Sequence, residues 1–89
     1  MVRAHLLISG IVQGVGYRYH CRRHAQGLGL VGWVRNLDDG RVEALLQGTR
    51  EQVEEMIKWC YRGPSEARVS DIAVAYEEPA EEFRDFGIR

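Results

Sequence analysis

The segment from Ile8 to Arg18 constrains this chain most, because an apolar strand runs there into a turn with two glycines and ends at an arginine. Gly14 and Gly16 can adopt backbone angles that other residues avoid, so successive N–H groups of the turn can converge on one point. If Tyr17 begins a helix, the free N–H groups and the dipole of its first turn point at the same place. The planar donors of Arg18 match phosphate oxygens, and the segment therefore predicts a phosphate site.

The same segment also has a plainer interpretation. A glycine pair after a strand is often only a tight turn, and an arginine in a first helical turn is often simply solvated. The segment contains neither of the common nucleotide loops, because it has no G-x-x-x-x-G-K-[ST] lysine and no G-x-G-x-x-G spacing. We therefore expect an anion site that does not bind nucleotides.

Composition limits the chain to one domain. With 89 residues, 45% of them hydrophobic, it can bury a single modest core, so residues 1–89 are expected to form one domain. No run is long enough to span a membrane and no signal peptide is recognisable, so we expect a cytoplasmic protein without a membrane partner. The net charge of −1 gives no positive field for nucleic acid, and two distant cysteines do not have a metal-binding spacing.

Local patterns predict four strands, two helices and a short edge strand. Alternating apolar residues indicate the strands, Asp39-Gly40 indicates a hairpin, and Thr49 with Gln52 forms the capping box of the second helix. In chain order the elements are strand 3–11, helix 17–28, strand 31–36, strand 41–47, helix 49–63, strand 68–76, an acidic loop at 77–82 and edge strand 83–89. Gly87 weakens the prediction of the edge strand.

The order β-α-β-β-α-β predicts an α+β, ferredoxin-like sandwich, with two helices on one face of an antiparallel sheet. The first two strands are joined through a helix, so they run parallel, with the third strand between them. Their carboxyl ends then lie at one edge of the sheet, with the backbone of the loop at 13–18 roughly 10 Å from that of Asn36. Side chains can close that gap, and Asn36 becomes a neighbour of the predicted phosphate loop.

Two motifs give the chain a close resemblance to the acylphosphatase family. The first motif of the family, G-x-V-Q-G-V-x-[FY]-R, lies complete within Ile8–Arg18. The second, G-W-V-x-N-x-x-x-G-x-V followed by a further glycine, lies within Gly32–Gly48. Element order and length also agree with the family, although Gly87 stands where the family usually has a larger residue.

The resemblance implies hydrolysis of the mixed anhydride between a carboxylic acid and phosphate, with a small acyl phosphate as substrate and no metal or cofactor. In the family, the motif arginine binds the phosphoryl group together with loop N–H groups, and the motif asparagine orients the attacking water. These roles carry over to Arg18 and Asn36 as the catalytic residues. The expected phosphate-binding residues are Gln13, Gly14, Val15, Gly16, Tyr17 and Arg18. We expect a monomer, because no long exposed apolar helix indicates assembly.

A site with one arginine, one asparagine and no general acid suits acyl phosphates rather than alkyl phosphates. An acyl phosphate expels a carboxylate whose conjugate acid has a pKa of roughly 4, so the leaving group needs no general acid. An alkyl phosphate expels a basic alkoxide and needs an acid or a metal ion. The amide of Asn36 can orient a water molecule but cannot act as a strong base.

Histidines and cysteines are interpreted as structural residues. His5, His20 and His24 are expected to pack or to lie on the surface, because no pattern places them with a reacting group. Cys21 and Cys60 fall at adjacent ends of two antiparallel helices. We predict two buried free thiols, and a cross-helix disulfide is the alternative.

Two other functions share the expected fold. A domain of this kind occurs at the N-terminus of hydrogenase-maturation carbamoyltransferases, and that interpretation requires the sequence to be a fragment. A ferredoxin-like RNA-binding or metal-binding domain is the second alternative, but the chain lacks the aromatic RNA-binding strand and the cysteine or histidine spacing. The sequence therefore predicts a free-standing acylphosphatase.

Overall fold

The strands and helices occur in the order that the sequence predicts. The computed structural model describes residues 1–89, and its element bounds differ from the prediction by one to three residues at the ends of most elements. The elements are β1 (Val2–Ile11), α1 (Tyr17–Gly27), β2 (Val31–Asn36), β3 (Val42–Gly48), α2 (Arg50–Arg62), β4 (Arg68–Glu77) and β5 (Phe86–Ile88).

The strands form one sheet in the order β4-β1-β3-β2-β5. β3 pairs antiparallel with both β1 and β2, so β1 and β2 run parallel with β3 between them, as predicted. β5 covers only Phe86–Ile88 of the predicted 83–89 and pairs parallel to β2, which makes the sheet mixed rather than wholly antiparallel. Two backbone bonds flank this short pairing, from Gly32 N–H to Asp85 O (3.0 Å) and from Arg89 N–H to Val34 O (2.9 Å).

The core lies between the two helices and one face of the sheet. Successive residues of a strand point to opposite faces, so alternate residues of β1 are buried under the helices. The fully buried residues of β1, α1 and α2 are Ala4, Leu6, Ile8, Tyr17, Cys21, Ala25, Val53, Met56 and Cys60. On β4 only Ile72 of the predicted apolar face is buried, because this strand lies at the edge of the sheet and has one neighbour.

The two helices begin differently. α2 has the predicted capping box, in which the Thr49 hydroxyl accepts from the Gln52 N–H (3.1 Å) and the Gln52 side chain accepts from the Thr49 N–H (2.9 Å). α1 begins after Gly16 without any side-chain cap. Gly27, Gly29 and Gly32 have the G-x-G-x-x-G spacing, but they lead from a helix into a strand, the reverse of the order in a dinucleotide site.

A compact turn joins β2 to β3. Leu37 N–H donates to Arg41 O (2.8 Å), and Gly40 N–H donates to Leu37 O (3.2 Å). The Asp39 carboxylate accepts from the Arg41 N–H (3.1 Å) and from Arg41 Nε (2.8 Å), and these donors hold the pKa of Asp39 below its usual value. The hairpin predicted from Asp39-Gly40 is confirmed, and it fixes the end of β2.

Part of the predicted acidic loop is anchored to the face of the sheet opposite the helices. Arg3 is buried there, and its guanidinium donates to Gln47 Oε1 (3.0 Å) and to Glu81 O (3.2 Å). Gln47 Nε2 also donates to Glu81 O (3.3 Å), and the Arg3 guanidinium lies 5.5 Å from the centre of the Phe83 ring. These contacts hold the segment between β4 and β5 against the sheet.

Cys21 and Cys60 are both buried and free, so the prediction of two thiols is confirmed and the disulfide alternative is wrong. A hydrogen bond between the two side chains, together with burial, raises the pKa of Cys21 well above its usual value. A buried thiol with a raised pKa is a poor nucleophile, because the thiolate is the reactive form.

We expect both thiols to be unreactive until the protein unfolds. Native protein at pH 8 should react very slowly with a thiol reagent such as DTNB, and protein denatured without reductant should release two equivalents. A native protein that reacts as fast as the denatured one would contradict the burial of the two residues.

Gly87 and Gly32 offer a matched test of the sheet edge. A Cβ at Gly87 meets nothing within 4 Å, whereas at Gly32 (φ +135°) it would lie 1.9 Å from Leu45 O. Gly87→Ala should therefore raise the free energy of unfolding by about 0.5–1 kcal/mol, because glycine weakens a strand interior. Gly32→Ala should lower it by several times that amount. Urea unfolding of both variants checks this, and a destabilised Gly87→Ala would show that the edge needs a glycine.

Candidate active site

The turn between β1 and α1 has the glycine conformations that the sequence predicts. Gly14 and Gly16 have φ of +76° and +80°, in the left-handed region that favours glycine. Gly16 is the N-cap residue of α1, and His20 N–H makes the first bond to the Gly16 carbonyl (3.1 Å). The N–H groups of the first turn therefore have no helical acceptor and no capping side chain. They form a cluster of donors at the positive end of the helix dipole.

The side chain of Tyr17 fixes the N-terminal end of α1 against α2. Its side chain is fully buried, and its hydroxyl donates to Cys60 O (2.7 Å) near the end of α2. Burial in the core, with Cys60 and Cys21 beside it, raises the pKa of Tyr17 far above its usual value, so the phenol stays protonated and keeps donating. The backbone of Tyr17 belongs to the phosphate loop, whereas its side chain belongs to the core.

Arg18 and Asn36 bring one charge and one amide to the same pocket. Arg18 is half-buried and belongs to no salt bridge, so no carboxylate of the protein neutralises it. Asn36 ends β2, and its Oδ1 is buried without any donor of the protein in reach. A buried polar atom without a partner is costly, and it is unusual outside functional sites. The Asn36 oxygen is thus free to accept a hydrogen bond from a small molecule in the pocket.

The pocket itself has a volume of about 220 Å³ and lies at the predicted edge of the sheet. It brings together five of the seven predicted site residues, which are Gly14, Gly16, Tyr17, Arg18 and Asn36. It also includes Val12, Tyr19 and Ile88, which the sequence did not single out. Ile88 belongs to β5, and only the parallel pairing of that strand with β2 brings it to the site.

Gln13 and Val15 do not line the pocket, although Gly14 and Gly16 beside them do. Val15 packs against the core, while Gln13 Nε2 donates to Leu37 O (2.7 Å) and to Arg41 O (2.9 Å). These two bonds tie the phosphate loop to the hairpin that follows Asn36. The sequence predicted a backbone role for Gln13, and it contained no local signal for this side-chain role.

His20 lies beside the pocket, with its ring next to Gly16 and 5.2 Å from the Tyr19 ring, and the other candidate side chains lie elsewhere. His5 contacts Glu43 (2.6 Å) on the open face of the sheet, and His24 stacks on Trp59 with ring centres 5.2 Å apart. Trp33 lies between the guanidinium groups of Arg35 and Arg89, which are 5.4 Å and 4.7 Å from its ring. No three side chains of His, Cys, Asp or Glu lie close enough together to hold a metal ion.

The protein is a ferredoxin-like domain whose pocket combines backbone N–H donors with one unpaired arginine. A model of the acylphosphatase family matches residues 4–88. An acylphosphatase of Nostoc is 54% identical over 89 residues, which is 100% of this chain and 87% of the relative. The chain therefore belongs to the acylphosphatase family, the hydrolases that cleave acyl phosphates.

Solved structures agree with this assignment. The crystal structure of acylphosphatase from Bacillus subtilis superimposes with a TM-score of 0.97 at 35% identity, and the match covers 100% of this chain and 99% of that one. The crystal structure of T. kodakarensis HypF also matches, with a TM-score of 0.89 at 33% identity, but the match covers only 12% of that much longer chain. Neither α1 nor α2 is long and apolar enough to cross a membrane.

The Gln13 side chain should matter more for catalysis than for folding. Gln13→Met keeps the length of the side chain but removes both donors to the hairpin, so the loop and Asn36 lose their fixed spacing. We expect kcat/KM to fall by about 10-fold to 100-fold, since a misplacement near 1 Å costs up to that much. The measurement is steady-state hydrolysis of an acyl phosphate beside a urea unfolding curve.

Gln26→Met is the matched control for this variant. It removes a single bond to Phe86 O (3.2 Å) at the far end of α1. Its kcat/KM should stay within about threefold of the wild-type value, because its partner does not contact the pocket. Equal losses in both variants would show that Gln13 acts only through stability.

Proposed function

We propose that the chain hydrolyses acyl phosphates with two side chains, Arg18 and Asn36, and the N–H groups of the phosphate loop. The observation that carries this proposal is the buried Oδ1 of Asn36, which has no partner and lies in the same pocket as the unpaired Arg18. An oxygen in that position can accept only from something that enters the pocket. A water molecule beside a bound phosphoryl group is the occupant that the chemistry of the family requires.

Arg18 and the loop bind the phosphoryl group in this mechanism. The uncapped N–H groups of α1 and the loop around Gly14 and Gly16 donate to the phosphoryl oxygens, and Arg18 adds two parallel donors and a positive charge. Phosphoryl transfer passes through a loose transition state with charge on the equatorial oxygens. Donors that are already fixed stabilise that charge without reorganising during the reaction.

Asn36 orients the nucleophile. Its Oδ1 accepts a hydrogen bond from the water, and a lone pair of the water oxygen then points at phosphorus. The new P–O bond forms as the bond between phosphorus and the acyl oxygen breaks, and the carboxylate leaves with the electron pair. The proton of the water passes to the phosphate product or to solvent. Asn36 holds the geometry and is not itself the base.

The leaving group explains why a site without an acid is sufficient. The carboxylate of an acyl phosphate has a conjugate acid of pKa about 4, so it departs without a proton. The histidines are not needed, and none of the three lines the catalytic pocket. The same site would be a poor catalyst for alkyl phosphates, whose alkoxide leaving group needs protonation or a metal ion.

A monomeric protein in a reducing compartment fits these features. The phosphate loop, Arg18 and Asn36 all come from one chain, so the catalytic pocket does not require a second copy. Cys21 and Cys60 are buried free thiols, which is the state that the reducing cytoplasm maintains. We therefore propose a monomer located in the cytoplasm.

The activity test is hydrolysis of benzoyl phosphate in the presence of EDTA. We expect fast turnover by the wild type, and Asn36→Ala should lower kcat by about 100-fold or more, as the loss of one fixed polar contact does in comparable sites. Arg18→Ala should lose still more, because both binding and charge stabilisation disappear. Arg18→Lys should also be badly impaired, since it keeps the charge but loses the two parallel donors.

Arg22→Ala is the matched control, because Arg22 lies one turn further along α1 and does not line the pocket. It should retain turnover within about threefold of wild type. Activity that survives in Asn36→Ala at the wild-type level would overturn the role of the amide. No turnover by the folded wild type would overturn the proposed hydrolysis itself.

A further inference from the structure

A cleft between α1 and the end of α2 is larger than the catalytic pocket. Its volume is about 590 Å³, compared with about 220 Å³ for the pocket that contains Arg18 and Asn36. The cleft is lined by His20, Arg23 and His24 of α1 and by Trp59, Arg62 and residues 63–65 at the end of α2. No residue is shared between the two cavities, so the cleft is a separate feature.

The cleft concentrates positive charge that the protein does not neutralise. None of its lining residues is acidic, and neither Arg23 nor Arg62 belongs to a salt bridge. α1 carries three arginines and two histidines and no acidic residue, although the whole chain has a net charge of −1. The lining therefore carries only positive side-chain charge, and the nearest acidic residue in the sequence is Glu66, directly after Ser65.

Packing beneath the cleft keeps it open. Trp59 forms its aromatic wall, with His24 stacked on the indole at 5.2 Å and the buried Tyr17 ring at 5.5 Å on an inclined plane. The bond from the Tyr17 hydroxyl to Cys60 O fixes the two helices at this level. Arg23 and Arg62 both line the cleft, one from each helix, and the Arg23 guanidinium also contacts the Tyr19 side chain.

We propose that this cleft is a second anion site, which binds a small oligophosphate between Arg23 and Arg62. Two guanidinium groups on different helices, with two imidazoles in the same lining, match an anion that carries charge at more than one point. The volume also exceeds what a single phosphate fills, whereas a chain of two or three phosphates spans it. The cleft shares no lining residue with the catalytic pocket, and the two adjoin where the His20 ring lies beside Gly16 and Arg23 donates to the Tyr19 hydroxyl (3.5 Å).

Fluorescence of Trp59 provides a local readout of this site. The chain has only two tryptophans, and Trp33 lies on the far face of the sheet between Arg35 and Arg89. In a Trp33→Phe background, the remaining emission comes from Trp59 alone. Titration with inorganic triphosphate at constant ionic strength should give a saturable change in emission, and inorganic phosphate should bind at least about tenfold more weakly.

Two double variants in the same background identify the residues. Arg23→Gln with Arg62→Gln should weaken triphosphate binding by about tenfold or more, since each removes a charge-assisted hydrogen bond. Arg22→Gln with Lys58→Gln removes the same charge from the same two helices, but neither residue lines the cleft. This control should weaken binding by less than about threefold. Circular dichroism confirms that all variants are folded, and acyl phosphate hydrolysis should persist in both.

A third variant separates the cleft from the catalytic pocket. Arg18→Ala in the Trp33→Phe background should leave the Trp59 titration unchanged. The proposal is overturned if triphosphate does not alter Trp59 emission, if the two double variants weaken binding equally, or if Arg18→Ala abolishes it. Equal weakening would indicate a general field, and loss with Arg18→Ala would indicate binding in the catalytic pocket.

Discussion

β3 is the central strand of the sheet, and its pairing with β1 and β2 sets the positions of the phosphate loop and Asn36. Val42 of β3 pairs with Ile8 of β1 on one side and with Asn36 of β2 on the other. Two strand spacings, about 10 Å, therefore separate the start of the phosphate loop from the amide that faces it. Because β1 and β2 are parallel, the carboxyl ends of both strands lie at the same edge of the sheet. Turn geometry and side-chain bonds then adjust a distance that backbone pairing has already set.

Features with a local cause could be predicted from the sequence. The capping box of α2, the hairpin at Asp39-Gly40 and the left-handed glycines of the phosphate loop each depend on residues within a few positions of one another. The proximity of Asn36 to the loop followed from topology alone. The donors of Gln13, by contrast, reach carbonyls 24 and 28 residues away, and Arg3 reaches a carbonyl 78 residues away. No local pattern encodes such contacts, so the side-chain role of Gln13 and the parallel β5 were not foreseen.

The two helix starts show how function and stability are separated in a small domain. α2 begins with a full capping box, which contributes about 1 kcal/mol to stability, and none of its residues lines the catalytic pocket. α1 begins at Gly16 with no side-chain cap, and its free N–H groups lie at the catalytic pocket. A capping side chain there would satisfy those donors and compete with the phosphoryl group that we propose they bind. The stability that α1 loses without a cap is offset by a buried hydrogen bond, through which Tyr17 fixes the first turn of α1 to α2.

Residues from opposite ends of the sequence meet in the finished sheet. Arg3 pairs with Glu77 across β1 and β4, and Ile88 of β5 reaches the catalytic pocket beside β2. Pairings over such separations close large loops before they gain contacts, which slows folding compared with a helical protein of equal length. The phosphate loop and Asn36, by contrast, are brought together through β3, the next strand after Asn36 in the sequence. The pairing of β3 with β1 and β2 places both groups at one edge of the sheet, and the short parallel pairing of β5 with β2 adds Ile88 to their pocket.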